Sequence, residues 1–147
     1  MSRAKFIIEK ITAIARKEPS LPMKFLSSEG LLKGEKLDFG SGRGKDARTY
    51  SMDEYDPQHK PEKPTKKYDT ITCNYVLNTI SKEESDKVLS EIRSLLKPNG
   101  NAYISVRRDV EEMKKSSYTQ RNVKLSLPVL REESGKFCIY HMKKGNA

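Results

Sequence analysis

Isoleucines recur every three or four positions among basic residues in the first part of the chain. This spacing predicts an amphipathic helix over residues 2–17, which we expect to cover one face of a sheet. Residues 18–22 contain two prolines and are predicted to form an extended linker. Shorter helices are predicted over 23–32 and 45–50. The chain therefore opens with helical elements before its first strand.

A clearer helical stripe follows Ser81. The spacing from Ser81 to Glu84 is that of a capping box, in which each side chain reaches the backbone N–H of the other residue. Its apolar positions are Val88, Leu89, Ile92, Leu95 and Leu96. The helix is predicted to end at Pro98-Asn99-Gly100.

Apolar runs of strand length lie between these helices. The predicted strands cover 37–39, 51–55, 68–80 and 102–106, and a closing hairpin joins 123–130 to 136–142. A weak polar helix is predicted over 109–118. This order predicts an α/β fold, a Rossmann-like doubly wound and mostly parallel sheet with an antiparallel C-terminal hairpin. We expect one domain over 1–147, in which 1–34 form an N-terminal helical cap and 143–147 a frayed tail.

The segment from 56 to 67 departs from this regular alternation. It holds three prolines and no apolar pattern, so it is predicted to be a loop. A crossover between parallel strands normally needs about a dozen residues or more, usually with a helix. The third strand of such a sheet, and the helix after it, are therefore predicted to be missing.

A glycine-rich turn follows the first predicted strand. Gly40, Gly42 and Gly44 can take positive φ and turn backbone N–H groups toward a ligand. Asp38 precedes this turn, and Asp56 ends the next strand, so both carboxylates fall at the carboxyl edge of the sheet, where ligands of such folds bind. Two acids and a close backbone suit an amino group together with a ribose diol. These are features of S-adenosylmethionine, and they suggest a small methyltransferase.

Other glycine loops fit the spacing less well. The dinucleotide fingerprint requires a glycine three residues after Gly42, where Lys45 stands. The phosphate-binding P-loop requires Ser or Thr after its Gly-Lys pair, but Asp46 follows Lys45. A glycine-rich turn that binds no ligand remains an alternative.

Composition adds expectations about partners and location. Hydrophobic residues make up 35% of the chain and charged residues 33%, and the net charge of +9 favours an anionic partner such as nucleic acid, although scattered lysines can simply solvate a surface. Cys73 and Cys138 lie in apolar runs, which is typical of reduced, buried thiols. Because no signal peptide and no apolar stretch of about 18 residues is present, we expect a cytoplasmic protein without a membrane partner. No His/Cys/Asp cluster has the spacing of a metal site.

Over roughly residues 31–142 the chain resembles class I S-adenosylmethionine-dependent methyltransferases. Residues 38–44 match the first motif of that class, Asp56 its ribose-binding acid, 68–77 its fourth strand, and 96–100 the turn before its fifth strand. The cofactor-binding residues that this resemblance implies are Asp38, Phe39, Gly40, Ser41, Gly42, Gly44, Asp56, Asn74 and Tyr75. The missing third strand would remove the usual contacts to the adenine, and the proline-rich loop could complete that pocket.

A narrower likeness is to methyltransferases associated with DNA phosphorothioation. It rests on three short elements, Ser20-Leu21-Pro22, Asp56-Pro57-Gln58-His59 and Tyr75-Val76-Leu77-Asn78. This likeness favours nucleic acid, or a substrate associated with it, as the methyl acceptor.

The sequence does not identify the atom that accepts the methyl group. His59 is a candidate general base but could equally be a surface histidine, and Asn74 is a second catalytic candidate. Arg107 and Arg108 could grip a phosphate, or one of them could pair with Asp109. The Pro-Pro-aromatic and Pro-Cys signatures of DNA-base methyltransferases are not present.

Three hypotheses follow for the function of the chain. It is a methyltransferase acting on nucleic acid, a methyltransferase acting on a small molecule or protein, or a degenerate cofactor-binding domain that serves as an interaction partner.

Overall fold

The structure is a computed structural model that describes residues 18–110 and 120–145. The predicted helix over 2–17 lies outside the described residues, as do most of the predicted helix over 109–118 and the last two residues of the chain. In chain order the elements are α1 (Leu21–Ser28), β1 (Lys36–Phe39), α2 (Lys45–Thr49), β2 (Asp53–Tyr55), β3 (Tyr68–Asn74), α3 (Lys82–Ser94), β4 (Leu96–Arg107), β5 (Val129–Glu133) and β6 (Phe137–Lys143). A single 3-10 turn, Leu77–Thr79, joins β3 to α3.

Six strands form one sheet in the order β2-β1-β3-β4-β6-β5. β1 pairs in parallel with β2 and β3, and β3 pairs in parallel with β4. β6 runs antiparallel between β4 and β5. The predicted fold class is confirmed. Within the described residues no strand lies beyond β2, so the third strand is missing there, as the proline-rich segment predicted.

Helices cover both faces of the sheet. Successive strand residues point to opposite faces, and along β6 they alternate between two buried clusters. One cluster joins Cys138 and Tyr140 to Ile92 of α3. The other joins Ile139 to Met23 of α1 and to α2. Because β1, β2, β3 and β4 run parallel, their carboxyl ends lie along one edge of this sheet.

Several element boundaries differ from the prediction. α1 begins at Leu21, inside the predicted linker, because Pro22 lies in its first turn, where a missing N–H removes no helical bond. β3 ends at Asn74 rather than at residue 80, because Tyr75 adopts a φ of +65° that a strand cannot continue through. The first strand of the hairpin begins at Val129 rather than at residue 123.

The tail is more ordered than predicted up to residue 145. β6 includes Lys143, and the N–H of Lys144 donates to the Gly100 carbonyl at 2.9 Å. β4 begins at Leu96, ahead of the predicted start at 102, and continues past Asn99, whose φ is +64°.

A charged cluster lies at the opposite edge, at the amino ends of β1 and β3. The Glu35 carboxylate accepts from the ammonium groups of Lys66 and Lys97, each at 2.8 Å. These two hydrogen bonds, with the attraction of the charges, lower the pKa of Glu35 to about 2. The cluster anchors the end of the proline-rich loop to the start of the sheet.

Candidate functional site

The glycine turn after β1 is tied to the end of β2. The N–H groups of Gly40 and Ser41 both donate to the Tyr55 carbonyl, at 2.7 and 3.0 Å. The turn contains three glycines with positive φ, +85° at Gly40, +57° at Gly42 and +82° at Gly44. Residues other than glycine rarely adopt such angles. The turn is therefore held in the conformation that its sequence predicted.

Gly40 also meets a neighbour that leaves no room for a side chain. A Cβ built at Gly40 would lie closer than 3.0 Å to Cγ2 of Val76, just after β3. Close approach between the first turn and the end of β3 is thus a second reason for glycine here. It brings the β1 and β3 ends of the site together.

Asp56 organises the turn from the end of β2. One carboxylate oxygen accepts from the N–H of Gly42 at 2.8 Å. The other accepts from the N–H groups of Gln58 and His59, at 2.9 and 3.1 Å. Asp56 therefore fixes the glycine turn and starts the proline-rich loop, which sequence reasoning did not predict.

Two more acids lie inside the molecule near this turn. Asp38 is buried on β1, and its Oδ1 accepts from the Thr72 hydroxyl at 2.9 Å. Asp46 of α2 is also buried, and its carboxylate accepts from the N–H and the hydroxyl of Ser20, both at 2.9 Å. Phe39 packs on Tyr55 with ring centroids 4.9 Å apart, so its side chain belongs to the core.

The end of β3 carries the most unusual backbone of the site. The Asn74 amide oxygen accepts from the Ser105 hydroxyl at 2.7 Å, but among the described residues its buried Nδ2 has no hydrogen-bond partner. Ser41 Oγ, in the glycine turn, is likewise buried without one. Tyr75, which follows Asn74, has a positive φ, and its N–H donates to the Ser105 carbonyl at 2.9 Å. Strained backbone of this kind concentrates at functional sites.

Both predicted acceptor-side arginines are engaged inside the protein. Arg107 makes two hydrogen bonds to Asp109, at 2.9 and 3.0 Å, and its guanidinium lies 5.0 Å from the centroid of the Tyr75 ring. Arg108 donates to the Val123 carbonyl at 2.7 Å and to the Tyr140 hydroxyl at 2.9 Å. The ion pair with Asp109, the alternative left open by the sequence, is the arrangement seen for Arg107.

Asn78 links three segments at this edge. Its amide oxygen accepts from the Arg107 N–H at 2.8 Å, and its Nδ2 donates to the Arg121 carbonyl at 2.9 Å. The Arg121 N–H donates to the Asn78 carbonyl at 2.7 Å. The Arg121 side chain continues the link to the Ile80 carbonyl and the Ser85 hydroxyl. Asn78 thus fixes the chain that returns from β4 against the end of β3.

Gln120, next to Arg121, is a buried polar residue that sequence reasoning did not single out. Its side chain is 3% exposed, and neither Oε1 nor Nε2 has a hydrogen-bond partner in the described part of the chain. No sequence motif marks it, because an unpaired buried amide is a property of tertiary packing.

The proline-rich loop lies beside β2, where the missing strand would pair. Asp56 and Lys60 exchange backbone hydrogen bonds at 3.0 and 2.9 Å, which turns the loop back along the strand. An open cavity of about 620 Å³ lies between the loop and β2, lined among others by Glu54, His59 and Tyr68. His59 is exposed there, on the β2 side of the crevice.

The buried thiols fit their predicted place in the core. Cys73 and Cys138 are unpaired and buried. Burial, with Asp38 nearby, raises the pKa of the Cys73 thiol. Within residues 18–110 and 120–145, no group of three His, Cys, Asp or Glu residues could hold a metal ion, and no helix there is long and apolar enough to cross a membrane.

Comparison with known families identifies the family of the chain and agrees with its fold. The family model for a methyltransferase domain matches residues 6–143. The chain belongs to this family, and it is a methyl-transfer enzyme. The link to methyltransferases associated with DNA phosphorothioation is not shown by these comparisons.

Solved structures with the same fold have low sequence identity. A possible histamine N-methyltransferase of Thermotoga maritima superposes with a TM-score of 0.68 at 14% identity, covering 96% of this chain and 97% of its own. DhpI, solved with S-adenosylhomocysteine, gives 0.62 at 14% identity over 98% and 97% of the two chains. Magnesium protoporphyrin IX methyltransferase of Synechocystis PCC 6803, also with S-adenosylhomocysteine, gives 0.59 at 15% identity over 84% and 80%.

A curated relative matches only in part. An uncharacterised protein of Rickettsia prowazekii is 49% identical over 39 residues, which is 26% of this chain and 16% of that protein. The chain therefore covers only a small part of the length of this relative.

Proposed function

We propose that this chain transfers the methyl group of S-adenosylmethionine to an acceptor bound beside Tyr75. The observation that carries the proposal is the meeting of the glycine turn, Asp56 and two unpartnered buried atoms at one sheet edge. Those atoms are Ser41 Oγ and Asn74 Nδ2, considered among the described residues. Buried polar atoms without partners are uncommon, and a bound ligand would satisfy them.

The residues present fit this cofactor. A carboxylate accepts about four hydrogen bonds, and Asp56 uses three on backbone N–H groups. Capacity remains for a ribose hydroxyl. Asp38 supplies negative charge for the ammonium group, directly or through water, and Asn74 Nδ2 and Ser41 Oγ can bond the amino-acid part. The open cavity beside β2 leaves room for the adenine on the side of the missing strand.

When bound, the cofactor supplies a methyl carbon made reactive by its sulfonium. The chain's own part is to align the acceptor with that carbon and to exclude water. Tyr75 contributes a ring fixed by its positive φ and by the guanidinium of Arg107. His59 lies beside β2, and β1 separates β2 from β3, with about 4.8 Å between neighbouring strands. We therefore place His59 on the cofactor side of the crevice. Its role as a general base stays a prediction.

Each of the two candidate classes of methyl acceptor, nucleic acid and small molecule, has one observation in its favour. The net charge of +9 favours nucleic acid, which stays a prediction, as does the link to DNA phosphorothioation. Internal hydrogen bonds occupy part of the guanidinium groups of Arg107 and Arg108, which were expected to hold its phosphates. The names of two relatives of the same fold, which refer to histamine and magnesium protoporphyrin IX, favour a small molecule.

Calorimetric titration of S-adenosylmethionine and S-adenosylhomocysteine tests the proposal. Asp56→Ala should weaken binding by about tenfold or more, since a hydrogen bond to a charged group contributes about 1.5–3 kcal/mol. Asp69→Ala is the matched control, because Asp69 lies at the amino end of β3, at the opposite edge of the sheet, where it accepts from the Glu35 N–H at 2.8 Å.

Thermal melts of each variant identify any loss that comes from unfolding. If folded wild-type protein binds neither compound at millimolar concentration, the proposal is wrong. The degenerate, interaction-only domain would then be the better description.

A further inference from the structure

We propose that Gln120 binds the methyl acceptor, and that the acceptor is an uncharged molecule with a hydrogen-bond donor beside a hydrogen-bond acceptor, as in a carboxamide. This inference rests on the proposed function, because it assigns the acceptor side of the same crevice.

The first argument is the state of the Gln120 side chain. A carboxamide can donate two hydrogen bonds and accept two. At Gln120 both polar atoms are buried, and in the described part of the chain neither has a partner. Leaving buried polar groups unpaired is unfavourable, and native proteins rarely do so away from functional sites. A ligand that presents a complementary edge would satisfy both atoms at once.

The second argument is the position of Gln120. Its neighbour Arg121 is held to Asn78 by two hydrogen bonds, 2.7 and 2.9 Å long. The same Asn78 side chain accepts from the N–H of Arg107, whose guanidinium lies over Tyr75. Gln120 is therefore fixed at the carboxyl edge of β3 and β4. Its amide is buried at this edge.

The third argument is the charge of the acceptor side. Arg107 is neutralised by Asp109, and Arg108 and Arg121 donate to backbone carbonyls and hydroxyls. A carboxylate bound here would bring no hydrogen-bond donor for Gln120 Oε1, whereas an uncharged carboxamide brings both a donor and an acceptor. On the acceptor side, the unpartnered group among the described residues is the neutral amide of Gln120.

Thermal stability without ligand is the first test. Gln120→Met has nearly the same length and replaces the unpaired amide by an apolar group, so its Tm should rise by about 2 to 6 °C. Asn78→Leu is the matched control. It removes an equally buried carboxamide at the same edge, but one with partners on Arg107 and Arg121, so its Tm should fall. A fall for Gln120→Met would show that its amide is paired, for example by a buried water, and would overturn the proposal.

Ligand binding is the second test. Benzamide and nicotinamide, each against its matched carboxylate, are titrated into the full chain saturated with S-adenosylhomocysteine. We expect each carboxamide to bind at least tenfold more tightly than its carboxylate, and Gln120→Met to lose at least tenfold of that affinity. Any of three results would overturn this inference: a carboxamide and its carboxylate bind equally, neither carboxamide binds, or Gln120→Met binds the carboxamides as tightly as the wild type. The proposed function would stand in those cases, because it fails only if S-adenosylhomocysteine itself does not bind.

Discussion

Gly40→Ala should destabilise the protein more than Gly30→Ala, although both glycines have a positive φ. Gly40 has a φ of +85°, and its Cβ would lie closer than 3.0 Å to Cγ2 of Val76. The change therefore adds two costs, a left-handed alanine and a steric overlap. It also pushes the glycine turn away from the end of β3, where we place the cofactor.

The two costs can be sized separately. Left-handed backbone costs an alanine about 1–2 kcal/mol relative to glycine. Overpacking against Val76, which is partly buried, adds about 1–3 kcal/mol. For a chain of this size each kcal/mol lowers Tm by about 2–4 °C. We therefore expect Gly40→Ala to lower Tm by at least about 4 °C and up to about 20 °C.

Gly30→Ala is the matched control. Its φ is +68°, but a Cβ there meets no atom within 4 Å. It should show only the backbone cost, about 1–2 kcal/mol, with unchanged affinity for S-adenosylhomocysteine. Thermal melts give the stability of both variants, and calorimetry gives their affinity.

Val76→Ala isolates the steric part, because it removes the Cγ2 atom that the new Cβ would strike. The double variant Gly40→Ala/Val76→Ala should recover the overlap cost and keep the backbone cost. If Gly40→Ala is no less stable than Gly30→Ala, or if Val76→Ala recovers nothing, the close packing of the turn on β3 is wrong.

Two further predictions concern charge. The folded pKa of Glu35, about 2, lies below its ordinary value of 4.5. The ion pairs of Glu35 therefore stabilise the protein above about pH 4.5, and this stabilisation is lost as the pH falls toward 2. Glu35→Gln should flatten the dependence of Tm on pH between these values, and an unchanged dependence would contradict the lowered pKa. Asp109→Asn leaves the guanidinium of Arg107, whose side chain is 18% exposed, without its carboxylate, and should destabilise the protein by about 1–3 kcal/mol. Glu133→Gln, which breaks an exposed pair, should cost less than about 1 kcal/mol, and equal melts for these two variants would refute the distinction.

The fold was predictable because several local signals agree. The glycine turn after an apolar strand, the capping box at Ser81 and the closing hairpin each indicate one step of an α/β chain. Ser81 does accept from the N–H of Glu84, at 3.1 Å. The absence of a third strand followed from the prolines of residues 56–67.

The end of β3 was not predictable in the same way. Tyr75 carries a positive φ that its residue type disfavours, so no propensity marks the break. Contacts made across the sheet impose it, including the hydrogen bond from its N–H to Ser105. The run of apolar residues therefore predicted a strand that continued too far.

The site residues that lie in the glycine turn or at strand ends were predictable from the sequence. Those whose surroundings depend on packing between distant segments were not. Asp38, Asp56 and the glycines share an edge because parallel strands end together. The partners of Arg108, by contrast, come from Val123 and Tyr140, which are distant in sequence. Gln120 is marked only by burial, which a single sequence does not contain.

Among residues 18–110 and 120–145, no strand pairs with the free side of β2, which is the outer strand of the sheet there. An outer strand offers unpaired backbone groups to other chains and can seed aggregation. Here the strand has only three residues, two of them the acids Asp53 and Glu54. The backbone exchange between Asp56 and Lys60 also covers its carboxyl end. A short, acidic and partly capped edge strand is less prone to pair with another chain than a long apolar one.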